Sequence, residues 1–485
     1  MVSQLDPGGS RLPAARLTLL LPAGGDRRVG AAELAGRIRR LIGDGRVGVG
    51  VTLPPERHLA ASLGISRGTV TAAYARLRAD GWAESRQGAG TWTTLPQHGS
   101  GVWAPDDATT AAYDLAHAAP AAPPELAEAF GQALQALPRA LPGHGYFRMG
   151  LPELRALVAE RYARQGVATA PEQILITAGG QHAISLVAAL QRRGARVLVE
   201  HPTYPNALQV LRARGAVLIE APGPDEDREA AGFAATVGTS SPALAYVMPD
   251  VHNPTGAGRT ARGRERMAAA LSDASCVPVV DEALRDLRFD GATAEPFAAL
   301  APSAISIGSL SKAVWGGLRI GWIRARPDVI RRLAVVAART TLGGPVVEQL
   351  VACRLLDGLE PLLAARRREL RERCDVLRAA LAAHLPAWTA SRPDGGQALW
   401  CRLPGPLSTA LTEAAEPRGL LLAPGPLFGT GRAFEDRLRL PYTLPPARLE
   451  AAVALLAETA ADVGPRATGR TRRPAARAHD IDLVA

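Results

Sequence analysis

From about residue 113 to residue 462, short apolar runs alternate with longer segments rich in Ala, Leu and Arg, and this alternation restricts the fold more than any other feature. The apolar runs include 174–177, 196–200, 244–248, 277–281, 304–308 and 320–323. Strands separated by helices of this length predict an α/β body built on a βαβ sheet. Residues 28–94 read differently, as helix, helix, turn, helix and a short two-stranded piece, and 95–112 read as a turn-rich linker. Residues 463–485 read as a basic, unstructured tail.

Composition narrows the function classes. At about 150 residues per domain, 485 residues predict two to four domains. No stretch of about 20 residues is uninterruptedly apolar, so no membrane span is expected. Residues 1–16 lack the charge, apolar run and cleavage site of a signal peptide. Cys276, Cys353, Cys374 and Cys401 lie far apart, which excludes paired zinc or redox spacing and points to reduced thiols and the cytoplasm. No metal site is expected. The net charge of +10 permits nucleic-acid binding without showing it. Of the 56 cationic residues, Lys312 is the one lysine. Arginine replaces lysine wherever charge alone matters, but a guanidinium stays protonated and is a poor nucleophile, so a lone retained lysine suggests amine chemistry.

In the head, Leu59 and Leu63 lie on one helix face and Gly64 ends that helix. Ser66 is placed to cap the next helix, where Val70, Ala73, Tyr74 and Leu77 form an apolar stripe. Two helices across so short a turn make a helix-turn-helix. Arg67, Thr69 and Thr71 at the start of the second helix could donate to base edges or phosphates. The Leu-Pro-x-Glu-Arg entry, Leu-Gly-Ile-Ser-Arg-x-Thr-Val, Gly81 and Gly88-x-Gly90-Thr91 together closely resemble the GntR-type winged helix. That resemblance implies contact with double-stranded DNA through Arg57, Ser66, Arg67, Thr69, Thr71, Gln87 and Gly88, the arginines mainly on phosphates.

The body resembles fold-type I pyridoxal-phosphate enzymes, specifically class I/II aminotransferases, in the order of its motifs. Ser309-Leu-Ser311-Lys312 follows an apolar run and precedes Trp-Gly-Gly-Leu-Arg319. The resemblance implies a large βαβ domain with a smaller C-terminal α/β domain, and a Schiff base between Lys312 and pyridoxal 5′-phosphate. It further implies that Ser309, Ser311, Arg319 and the Gly180 and Gln181 amides hold the cofactor phosphate, the amides at a helix N-terminus. Asp281 would keep the pyridine nitrogen protonated, Asn253 in His-Asn-Pro-Thr-Gly would bond the ring oxygen, and Tyr204 would stack on the ring. Tyr146 would reach the phosphate of a neighbouring subunit, which implies a homodimer, although the spacer before Gly150 is one residue short. Arg439 would clamp the carboxylate of an amino-acid or amine effector.

The family's tyrosine three residues beyond the ring aspartate is Leu284 here, which puts fast transamination in doubt. The order winged helix, linker, aminotransferase-like body resembles the MocR-type branch of GntR regulators. It implies a transcriptional regulator that senses pyridoxal phosphate or an amine; the alternative is a working aminotransferase that carries a DNA-binding head.

Overall fold

A computed structural model describes residues 12–21, 30–43, 47, 51–86, 90–94, 111–291, 294–390, 392–431 and 433–467. The chain divides into two units, Met1–Pro105 and Asp106–Ala485. The first contains α1 (Ala14–Leu20), α2 (Ala31–Gly43), α3 (Glu56–Leu63), α4 (Arg67–Ala79), β1 (Ala83–Arg86) and β2 (Gly90–Thr93). Gly64 ends α3 with a φ of +65°, a left-handed turn that suits glycine, and the Ser66 hydroxyl accepts the Thr69 amide at 3.1 Å to start α4. Leu34, Ile38, Leu59, Val70, Ala73, Tyr74 and Leu77 fill the core. The Tyr74 hydroxyl donates to the Pro54 carbonyl at 2.8 Å, which fixes the entry into α3. β1 and β2 pair antiparallel as the expected wing. Helix α1 and its C-cap, ahead of the segment read as the head, add Leu17 and Leu21 to the core.

The second unit opens with β3 (Tyr113–Leu115), α5 (Glu125–Ala136) and α6 (Pro152–Arg164). Then follow β4 (Ile174–Thr177), α7 (Gly180–Ala189), β5 (Arg196–His201), α8 (Pro205–Ala213), β6 (Val217–Pro222) and α9 (Ala231–Ser240). Next come β7 (Leu244–Val247), α10 (Ala261–Asp273), β8 (Val277–Asp281), β9 (Ile305–Ser309), β10 (Gly321–Arg324), α11 (Pro327–Ala337) and α12 (Val346–Asp357). The last part holds α13 (Leu359–His384), β11 (Thr389–Ala390), β12 (Ala398–Arg402), α14 (Ser408–Ala415), β13 (Leu420–Pro424), β14 (Arg437–Pro441) and α15 (Pro446–Ala467).

Among the described residues the large sheet has the order β4-β10-β9-β8-β7-β5-β6, with β10 antiparallel to both neighbours and the other pairs parallel. Successive residues of one strand enter opposite cores: Leu244 and Tyr246 pack with α7, α8 and α11, while Ala245 and Val247 pack with α5, α6, α9, α10 and α12. Both faces are covered, as a parallel sheet requires. The smaller sheet has the order β11-β12-β14-β13-β3 and packs on α13, α14 and α15. Its edge strand β3 comes from the opposite end of the unit, directly after the segment read as the linker. Helix α15 runs to Ala467, past residue 463 where the unstructured tail was expected, because Val463 still packs against the small core.

Candidate functional site

Most candidate side chains in the body sit at or just after strand ends, which the parallel strands bring to one edge of the large sheet. Asp281 is the last residue of β8, Ser309 the last of β9, and Gly180 the first of α7 after β4. Of the ten residues assigned above to the cofactor, nine line a single cleft of about 990 Å³: Gly180, Gln181, Tyr204, Asn253, Asp281, Ser309, Ser311, Lys312 and Arg319. Residues spread over 140 positions converge in one place. Tyr146 is the exception, being 58% exposed and not among the residues that line this cleft.

Lys312 donates to the Ala118 carbonyl at 3.0 Å. Burial, then the Arg439 charge, push its pKa down to about 7, against the pull of Asp281. Burial raises the Asp281 carboxyl above its ordinary range, opposed by the Tyr246 hydroxyl, which donates at 2.6 Å, and the Ala283 amide at 2.9 Å. The Tyr204 hydroxyl is pushed up to about 12 by burial and by Asp281, and it accepts from Asn206 at 2.9 Å.

The opposite group of residues suits an anion. Ser309 Oγ accepts the Ser311 amide at 3.1 Å and donates to Ser311 Oγ at 3.0 Å. Arg319 holds φ +53°, uncommon for a residue with a side chain and typical of strained functional positions. Its guanidinium donates to the Ala178 carbonyl at 2.6 Å. A Cβ on Gly179, itself at φ +83°, would come within 3.0 Å of that guanidinium. The buried Gln181 Oε1 has no partner. Arg439 is fully buried in β14 and stacks 4.9 Å from the Phe428 ring. It donates one hydrogen bond, from Nη2 to the Ala116 carbonyl, while its Nε and Nη1 lack partners. Burial lowers its pKa to about 10. Buried donors left unmade cost about 1–3 kcal/mol each, so an acceptor brought to this guanidinium would be favoured.

Three contributors were not found in the sequence. Tyr246, the brace on Asp281, lies inside an apolar strand with both faces covered, so no polar alternation marks it. Gln397 donates to the Lys312 carbonyl at 2.8 Å. The 116–118 turn reaches Lys312 and Arg439 from the β3 end. Only its start carries a signal, Asp114, a residue that often hydrogen-bonds the backbone two residues on. Leu284 lines the cleft and brings no donor to it.

In the first unit, Arg57, Ser66, Arg67 and Thr71 are exposed on α3 and the start of α4. The Thr69 hydroxyl meets Ser66 Oγ at 2.8 Å, and the Thr71 hydroxyl donates to Glu56 at 2.7 Å, with Arg67 Nε 3.8 Å from the same carboxylate. Gln87 and Gly88 lie outside the described residues.

A helix-turn-helix head and a seven-stranded body with a lysine, an aspartate and an anion cradle at the strand ends define a DNA-binding protein with an aminotransferase-type body. The family described as Aminotransferase class I and II matches residues 112–456, and Bacterial regulatory proteins, gntR family, matches 31–92. The chain therefore belongs to the class I and II aminotransferase family and carries a gntR-family head, the combination of MocR-type regulators. It is 30% identical over 434 residues to the uncharacterized HTH-type transcriptional regulator YdcR of Escherichia coli, covering 82% of this chain and 92% of that protein. It is 28% identical to the probable rhizopine catabolism regulatory protein MocR of Rhizobium meliloti, covering 81% and 85%. Among solved structures, the α-aminoadipate aminotransferase of Thermus thermophilus, complexed with N-(5′-phosphopyridoxyl)-L-leucine, matches with a TM-score of 0.65 and 29% identity over 73% of this chain and 93% of that one. Pyridoxal 5′-phosphate is the cofactor that such a body binds. Among the described residues no helix is long and apolar enough to cross a membrane, and no group of side chains could hold a metal ion.

Proposed function

We propose that the chain is a cytoplasmic, dimeric transcriptional regulator that binds pyridoxal 5′-phosphate in its body and responds to that cofactor or to a small amine or amino acid. The observation that carries the reading is the meeting of Lys312, its pKa pushed down to about 7, with Asp281 and an anion cradle in one cleft. An amine that is half neutral near pH 7 can attack an aldehyde; an ordinary lysine is almost wholly protonated there.

The residues present fit the cofactor. Lys312 would hold it covalently, and Ser309, Ser311, Arg319 and the Gly180 and Gln181 amides would take its phosphate. Asp281, kept in place by Tyr246, would face the ring nitrogen, and Asn253 and Tyr204 would orient the ring. When bound, the cofactor supplies an electrophilic carbon and an electron-withdrawing ring. Arg439, with two donors to spare, would receive an effector carboxylate. The exposed Tyr146 would serve the site of a second copy. Arg57, Ser66, Arg67, Thr69 and Thr71, with Gln87 and Gly88 of the wing, would contact the operator. Leu284 favours sensing over turnover, since it leaves Asn253 without a second donor beside the ring oxygen.

Cofactor-fed protein should show an absorbance band at the violet edge of the visible that Lys312→Ala abolishes. Retention of the DNA upstream of its gene should change when the cofactor or an amine is added. A wild type that shows no band after feeding sinks the cofactor reading. Steady amino-group transfer at an ordinary enzyme rate, of order 1–10³ per second, would instead make it an enzyme.

A further inference from the structure

Two donors of the cleft are taken by the chain itself. The Arg439 Nη2 donates to the Ala116 carbonyl, and Lys312 Nζ donates to the Ala118 carbonyl at 3.0 Å. Both acceptors belong to one short turn, and a single side chain shapes it. Asp114 Oδ1 accepts the amides of Ala116 at 2.9 Å and His117 at 3.0 Å, and Oδ2 lies 2.8 Å from His117 Nδ1. Asp114 is in turn fixed by β3, whose residues pair with Leu420, Leu421 and Leu422 of β13. The turn therefore hangs from the small sheet on one carboxylate.

A guanidinium offers a carboxylate two forks, Nη1 with Nη2 or Nε with Nη2, and each uses an Nη2 hydrogen. The Ala116 carbonyl occupies one of them. An anion that takes that fork, and an aldehyde carbon that takes the Lys312 amine, must both displace oxygens of the same turn.

We propose that Asp114 is a positioning residue whose turn acts as a built-in competitor for the anionic group of the effector, so that filling the cleft releases residues 116–118. The proposal rests on the reading of Arg439 as the carboxylate-binding residue. Its consequence is regulatory: the turn released is joined through the three residues of β3 to the segment read as the linker, so occupancy of the body is passed to the start of the body's own chain. The affinity seen by a ligand is its intrinsic affinity multiplied by the fraction of molecules whose turn is already open, and loosening the turn raises that fraction.

The test uses the full-length, cofactor-loaded protein with propionate as probe, followed by calorimetry. Asp114→Ala should bind propionate several-fold tighter than wild type, a gain that simple structural damage would not produce. Asp114→Asn, which keeps an oxygen for the two amides, should stay near wild type, and His117→Ala, which leaves the Asp114 carboxylate and its backbone bonds in place, should fall between. In wild type, propionate should speed hydrogen exchange at the Ala116 and His117 amides. Equal or weaker binding by Asp114→Ala, with binding still dependent on Arg439, overturns the competitor and leaves the site reading standing. Propionate binding that survives Arg439→Ala overturns the site reading itself, and the competitor with it.

Discussion

The Lys312 pKa is lowered by burial first, then by the neighbouring charges of Arg439 and Arg319, and only Asp281 pulls it back up. The capture of pyridoxal phosphate should therefore accelerate as pH rises through about 7 and level off above it, in stopped-flow absorbance. Removing the first of these charges by Arg439→Met should raise the Lys312 pKa and move that profile to higher pH, while burial keeps it below the ordinary lysine range. At Asp281 the matching brace is Tyr246. Tyr246→Phe removes a hydrogen bond to a charged group, worth about 1.5–3 kcal/mol, so cofactor affinity in a spectral titration should weaken roughly ten- to a hundredfold. In the head, Glu56 holds the Thr71 hydroxyl and lies near Arg67. Glu56→Ala should lower the ratio of operator to random DNA affinity by about the cost of one base contact, roughly 1–3 kcal/mol, with an unchanged salt slope. Lys312, Asp281, Asn253 and Arg319 were legible because each sits in a motif whose chemistry admits few substitutes. Tyr246 and Gln397 were not, since their roles are created by neighbours far away in sequence.

At the level of elements, the close approach of β9 and β10 decides how the site is supported. Gly308 stands opposite Trp322 in the register of the two strands, and a Cβ there would come within 2.2 Å of the indole ring. Gly308→Ala should destabilise the body by about 1–3 kcal/mol through overpacking, visible as a lowered Tm without loss of Lys312 itself. The strands β4, β5, β7, β8, β9 and β10 could be placed to within a residue or two because helices or polar, turn-rich stretches separate their apolar runs. β3 was invisible: three residues after a turn-rich stretch carry no period. Its membership of the small sheet comes from pairing with β13, some 300 positions away. The Asp114 turn, which depends on β3, was hidden for the same reason.

At the scale of the whole molecule, two units with separate cores should unfold as two transitions. Pyridoxal phosphate should raise the midpoint of one of them, the one that Lys312→Ala renders insensitive, in a calorimetric scan; at a hundredfold excess over Kd the gain is about 2.7 kcal/mol. A shift of both midpoints would mean that the units unfold together. The division into head and body was plain in the sequence, since hydrophobic periodicity changes near residue 95, while the extra helix α1 and the extension of α15 depend on packing partners. The solitary lysine also makes the protein its own gauge. An amine-acylating reagent at neutral pH meets one side-chain amine in the entire chain, half of it unprotonated. A bound cofactor would shield that nitrogen, so the mass added at residue 312 would count vacant sites directly, even in a crude mixture where no absorbance could be read.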